Sequence, residues 1–105
     1  MSNPDQQATL DAAQTLYREW LAAKSALQNT REQLEHALAV MEKLQQTYYS
    51  PAFNELYDAD ERGELNTTTQ GEYSVMSQDT IYNEFIEKDQ ELWRLLKLCV
   101  QHLEN

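Results

Sequence analysis

A chain of 105 residues with only two glycines and two prolines, rich in Leu, Ala, Gln and Glu, favours long helices and leaves room for one helical domain over residues 1–105 rather than two. Its formal net charge of −10 repels phosphate backbones and anionic lipid, so neither direct nucleic-acid binding nor membrane binding is expected. A single cysteine, Cys99, excludes an internal disulfide.

The N-terminal residues Met1 to Gln7 lack the basic start and apolar run of a signal peptide, and no segment approaches the ~18 apolar residues of a membrane span. A cytoplasmic protein is the expectation. Asn3, Pro4 and Asp5 read as an N-cap, a first helical residue with no N–H to satisfy, and an acid favoured by the helix dipole. Neither glycine nor proline follows until Pro51. Steps of three and four residues pick out Ala13, Leu16, Trp20, Ala23, Leu27, Thr30, Leu34, Ala37, Met41, Leu44 and Tyr48, all apolar but Thr30. That is the coiled-coil step. Leu10, Tyr17 and Leu38 widen the stripe. The pattern predicts one helix over about residues 5–47, roughly 65 Å long. Thr30 with Gln33 offers a capping box, so a kink near Asn29 is the competing reading.

Ser50 and Pro51 repeat the capping logic and open a short helix over about 51–62, with Phe53, Leu56 and Tyr57 on its apolar face and Gly63 as its stop. Residues 64–76 show no period and predict a loop pinned to the core by Leu65, Tyr73, Val75 and Met76. Ser77 is expected to cap the last helix, over about 78–103, whose apolar face holds Ile81, Tyr82, Phe85, Leu92, Leu95, Leu96, Cys99 and Leu103. The fold class is therefore all-α: a long N-terminal helix antiparallel to a C-terminal one, with the short helix and loop between. The first helix exceeds its partner in length, so its surplus must bend, stand in water, or be buried against a second copy.

The segment Tyr48-Tyr49-Ser50-Pro51, then Tyr57-Asp58-Ala59-Asp60-Glu61-Arg62-Gly63-Glu64-Leu65, then Val75-Met76-Ser77-Gln78-Asp79-Thr80-Ile81-Tyr82 resembles a bacterial family of small helical proteins catalogued as domain of unknown function forty-two ninety-eight. The resemblance implies an all-helical fold and no activity. This chain departs from the family pattern at Asn66–Glu72, where a proline and a Leu-Lys-Arg-Gly run are expected; two bases are missing and the local charge is more negative.

Chemical motifs are sparse. Asp58 to Glu64 begins like a calcium loop, yet Arg62 and Thr69 stand where ligands belong, and a helix end fits better. Glu32, Glu35, His36 and Glu42 supply at most one half of a two-helix carboxylate metal site. Cys99, on the apolar face among leucines, reads as a buried structural thiol rather than a nucleophile with His102. No enzyme activity, cofactor or metal is expected.

Charge and tyrosine are uneven. Residues 1–47 hold six acids and four bases, whereas residues 48–91 hold eleven acids against Arg62 and Lys88. Five of the six tyrosines (Tyr48, Tyr49, Tyr57, Tyr73 and Tyr82) share that acidic stretch. Tyrosine among acids is a common interface composition. The expected function is a non-enzymatic protein that binds a basic protein through residues 55–84, most specifically an immunity protein or antitoxin blocking a nuclease toxin. Asp58, Asp60, Glu61, Glu64 and Glu72 would supply charge, with Tyr49 and Tyr73 as anchors. The alternative is a homodimeric coiled-coil structural or adaptor protein with no inhibitory role, which uses the stripe of the first helix and whose acids only keep it soluble.

Overall fold

The computed structural model describes residues 3–77 and 79–104. Three helices account for the regular structure: α1 (Pro4–Tyr48), α2 (Pro51–Glu61) and α3 (Thr80–His102). No strand occurs among the described residues, so the all-helical expectation holds. None of the helices is long and apolar enough to cross a membrane. Contacts divide the chain into a first unit ending at Val40 and a second beginning at Met41.

Local chemistry explains most of the boundaries. The Asn3 side chain accepts the Asp5 N–H at 2.9 Å, and the Asn3 carbonyl accepts the Gln7 N–H, which opens α1. α1 then runs 45 residues without a break. The Thr30 hydroxyl donates back to the Ala26 carbonyl at 2.9 Å, so it serves its own helix and makes no capping box. The Ser50 hydroxyl accepts the Phe53 N–H at 3.2 Å and caps α2, with Pro51 in the first turn. α2 ends as Gly63 requires. At φ 72 the residue is left-handed, the Gly63 N–H donates to Asp60 O, and the Glu64 N–H reaches back to Ala59 O. Those two bonds are a Schellman closure, and they settle Asp58–Glu64 as a helix end.

The start of α3 departs from the expectation. Asp79 occupies the N-cap position in left-handed geometry, φ 61, without a side-chain cap, and α3 begins at Thr80. Ser77 instead belongs to a turn: its N–H donates to Ser74 O, and its carbonyl accepts the Thr80 N–H. Gln78, where the helix was expected to begin, lies outside the described residues.

Within the second unit Phe53, Ile81 and Phe85 form the buried core, and Met41, Leu44, Tyr48, Leu56 and Met76 pack against it. Aromatic edges organise it. Phe85 meets Tyr48 edge-on at 5.3 Å, and Phe53 lies 5.6 Å from Tyr48 and 5.5 Å from Tyr57. Of the four residues expected to pin the loop, Met76 alone packs on this core; Leu65 and Val75 are exposed and Tyr73 is 85% exposed. Cys99 also corrects the expectation, for it is exposed, as are Leu96 and Leu103. The buried core takes in only the first turns of α3, through Ile81 and Phe85; further along, Leu92 and Leu95 are half-buried and no described residue is buried.

The first unit has no core of its own. Every residue from Asn3 to Gln33 is exposed, including Leu10, Leu16, Tyr17, Trp20, Leu21 and Leu27.

A candidate acidic interface

The carboxylates between Tyr48 and Glu91 do not form one cluster. Asp58, Asp60 and Glu61 occupy the last turn of α2, where no base stands. That turn carries the negative end of the helix dipole, so three acids there work against the helix and deepen one local negative potential. Asp58 and Glu61 are exposed and Asp60 is half-buried. None of the three makes an ion pair among the described residues.

Glu64 is differently placed. Its two oxygens accept from Arg62 at 2.8 and 3.2 Å, a two-pronged pair that cancels its charge locally. Glu72 is occupied in the loop: its side chain accepts the Gln70 N–H at 2.9 Å and its carbonyl accepts the Thr69 hydroxyl. The other base of the acidic stretch, Lys88, lies 3.1 Å from Asp89. Both bases of the region are thereby spent on acids adjacent or nearly adjacent in sequence, Arg62 in an exposed pair that adds little stability and Lys88 in a half-buried position.

The two tyrosine anchors also differ. Tyr49 is 66% exposed although its ring stacks at 6.1 Å on Phe85 and meets Tyr48 edge-on at 4.9 Å. It is held on one face and open on the other. Tyr73 projects from the loop with no aromatic neighbour among the described residues and lies between two open grooves. One is lined by Leu56, Leu65, Thr69 and Val75, the other by Leu44, Ile81, Glu84 and Glu87; Glu72 and Tyr73 border both. Burial pushes the Tyr48 phenol upward, and neighbouring Tyr57 and Tyr49 add to it, so Tyr48 stays neutral.

Glu84 and Glu87, missing from the sequence-derived set, stand on the wall of the second groove. Their signal was present: the i, i+3 spacing puts them side by side on a helix. A hydrogen bond with Glu87 raises the Glu84 carboxyl above its ordinary value, and Coulomb repulsion from Glu87 and then desolvation add to the rise. The folded state therefore holds this proton more tightly than the unfolded chain. Stability from the pair is present below the unfolded pKa and lost as pH rises through the raised one. Glu84→Gln is expected to flatten the stability profile just above the ordinary glutamate range and to stabilise the protein modestly at neutral pH. Urea unfolding of both proteins across pH 4 to 7 tests this; parallel profiles would refute the coupling.

Among the described residues no group of three or more His, Cys, Asp and Glu is placed to hold a metal ion. The arrangement offers carboxylates and amphipathic rings on an open surface, which suits binding a cationic surface.

A family model described as a domain of unknown function, DUF4298, matches residues 10–98. It takes in the acidic segment, Tyr49 and Tyr73, the Glu84–Glu87 pair and most of α1. No curated protein and no solved structure matches the chain.

Proposed function

The chain belongs to the DUF4298 family, and from that premise we propose that it is a non-enzymatic interaction protein that takes a basic protein partner on residues 55–84. The observation that carries this reading is Tyr73, 85% exposed between two grooves and flanked by carboxylates. An aromatic ring with few rotatable bonds adds contact area at small entropic cost, and the surrounding acids favour a cationic counterpart. Asp58, Asp60 and Glu61, without an ion pair among the described residues, extend the charged surface, and Tyr49 offers a second ring already braced against Phe85.

The most specific form of the proposal is an immunity protein or antitoxin acting in the cytoplasm against a nuclease toxin. Nuclease active sites are electropositive because they bind phosphate, and a fixed acidic surface competes for that field. Capture on the immobilised full chain from its host should yield a basic protein at low salt and release it as salt rises. Co-expression with that protein should relieve its toxicity. A captured partner without basic character, or retention indifferent to salt, would remove the charge-based reading.

A second reading, a homodimeric structural or adaptor protein, is favoured by the exposed stripe of α1. On that reading the acids only keep the protein soluble, and charge reversal at Asp58, Asp60 and Glu61 would leave partner capture unchanged.

A further inference from the structure

The stripe on residues 4–40 needs an occupant. Leu10 is 58% exposed, Leu16 65%, Trp20 50% and Leu27 58%. Single exposed apolar residues are ordinary, but here Leu16, Trp20 and Leu27 recur at the coiled-coil step along one helix, with Leu10 at its edge. An apolar stripe of that period fits a helix of the same period, and α1 supplies one.

We propose that residues 13–30 pair antiparallel with the same residues of a second copy, with Trp20 of each copy packed over Ala23 of the other. This goes beyond the basic-partner reading and does not depend on it. Packing and charge both select the arrangement. In a parallel, in-register pair each layer would repeat itself: Trp20 on Trp20, Ala13 on Ala13, Ala23 on Ala23. Such layers alternate between overfilled and hollow, and close-packed interiors tolerate neither. Reversing one copy about the midpoint between Leu21 and Ala22 sets Leu16 against Leu27, Trp20 against Ala23 and Ala13 against Thr30. Each bulky aromatic then meets a small residue. The Thr30 hydroxyl already donates to Ala26 O, so it enters its layer with that donor satisfied.

Charge points the same way. Residues 4–40 hold five acids and three bases, whereas residues 41–105 hold thirteen acids and five bases, a net of −8. The near-balanced segment gives a basic partner no electrostatic reason to choose it, and a second copy meets little repulsion there. A parallel pair would bring the two Val40 ends, where the acidic regions begin, side by side. The antiparallel pair separates those ends by about 55 Å at 1.5 Å per residue, several screening lengths at physiological salt.

Sedimentation of the full chain is expected to show a dimer that Trp20→Glu converts to a monomer without loss of the helical signal. Orientation is read from cysteines introduced in a Cys99→Ser background. In the proposed register residues 16 and 27 of opposite copies face each other, while the two residues 16 lie about 16 Å apart, beyond the ~7 Å that a disulfide bridges. Under mild oxidation Leu16→Cys alone and Leu27→Cys alone should stay uncrosslinked, and an equal mixture of the two should form covalent dimers. Crosslinking of either single variant by itself would overturn the antiparallel register. A monomer at high protein concentration for the unmodified chain, or a dimer undisturbed by Trp20→Glu, would overturn the pairing itself.

Discussion

Phe85→Ala is expected to cost about 3–5 kcal/mol, the range for truncating a buried aromatic, and so to unfold most of residues 41–105 at ambient temperature. Phe85 is 8% exposed and is the residue on which separate segments converge. Its ring meets Tyr48 at 5.3 Å, Tyr49 at 6.1 Å and Tyr82 at 6.4 Å, and it shares the buried cluster with Phe53 and Ile81. Only three side chains of that cluster are buried, and the Met41, Leu44, Tyr48, Leu56 and Met76 packed against it are themselves only partly buried, so the cavity would lie close to solvent. The truncation removes apolar burial and the edge contacts, each worth about 0.5–1.5 kcal/mol beyond area alone. Phe85→Leu keeps much of the volume and should cost distinctly less. Urea unfolding followed by tyrosine fluorescence measures both. A loss under about 1 kcal/mol for the alanine variant, well below the range for a buried aromatic, would mean that Phe85 is not the centre of the core.

What the sequence discloses and what it withholds follow one division. Features set by neighbours in the chain were readable: the Asn3 and Ser50 caps, the Gly63 closure and the unbroken course of α1 past Thr30 each depend on bonds spanning a few residues. Features set by what lies across from a side chain were not. Periodicity put Cys99 and Leu96 on one face of α3 with Ile81 and Phe85, but period alone does not say where the covering elements stop. Burial fades along α3, so Phe85 is buried, Leu92 and Leu95 are half-buried and Cys99 is exposed. Ser77 failed as a cap for a related reason. A hydroxyl four residues ahead of a periodic run resembles a cap, yet the chain takes a left-handed residue at Asp79 before the helix begins. Charge counting located the acidic stretch correctly but treated its members as equal. Geometry separates them: Arg62 neutralises Glu64, Glu72 fastens a loop, and Glu84 shares a proton environment with Glu87.

That separation fixes the form of the second large effect. Reversing Asp58, Asp60 and Glu61 to lysine changes the local charge by six units at the negative end of α2, where no ion pair is broken among the described residues. Capture of the proposed basic partner should fall by two orders of magnitude or more, chiefly through slower association, because exposed charges steer encounter. The salt dependence of association should flatten together with it. Tyr73→Ala should act on the other rate. A contact ring at an interface typically costs about 2 kcal/mol when removed, and this appears as faster dissociation with association nearly unchanged. Glu64→Gln, by contrast, removes a charge that Arg62 already cancels and should change little. Surface-plasmon kinetics at two salt concentrations resolves the three variants. The assignment of roles rests on their order: if Glu64→Gln weakens capture as much as the triple reversal, net charge alone governs the interaction, and the placement of Asp58, Asp60 and Glu61 at the end of α2 has no special part in it.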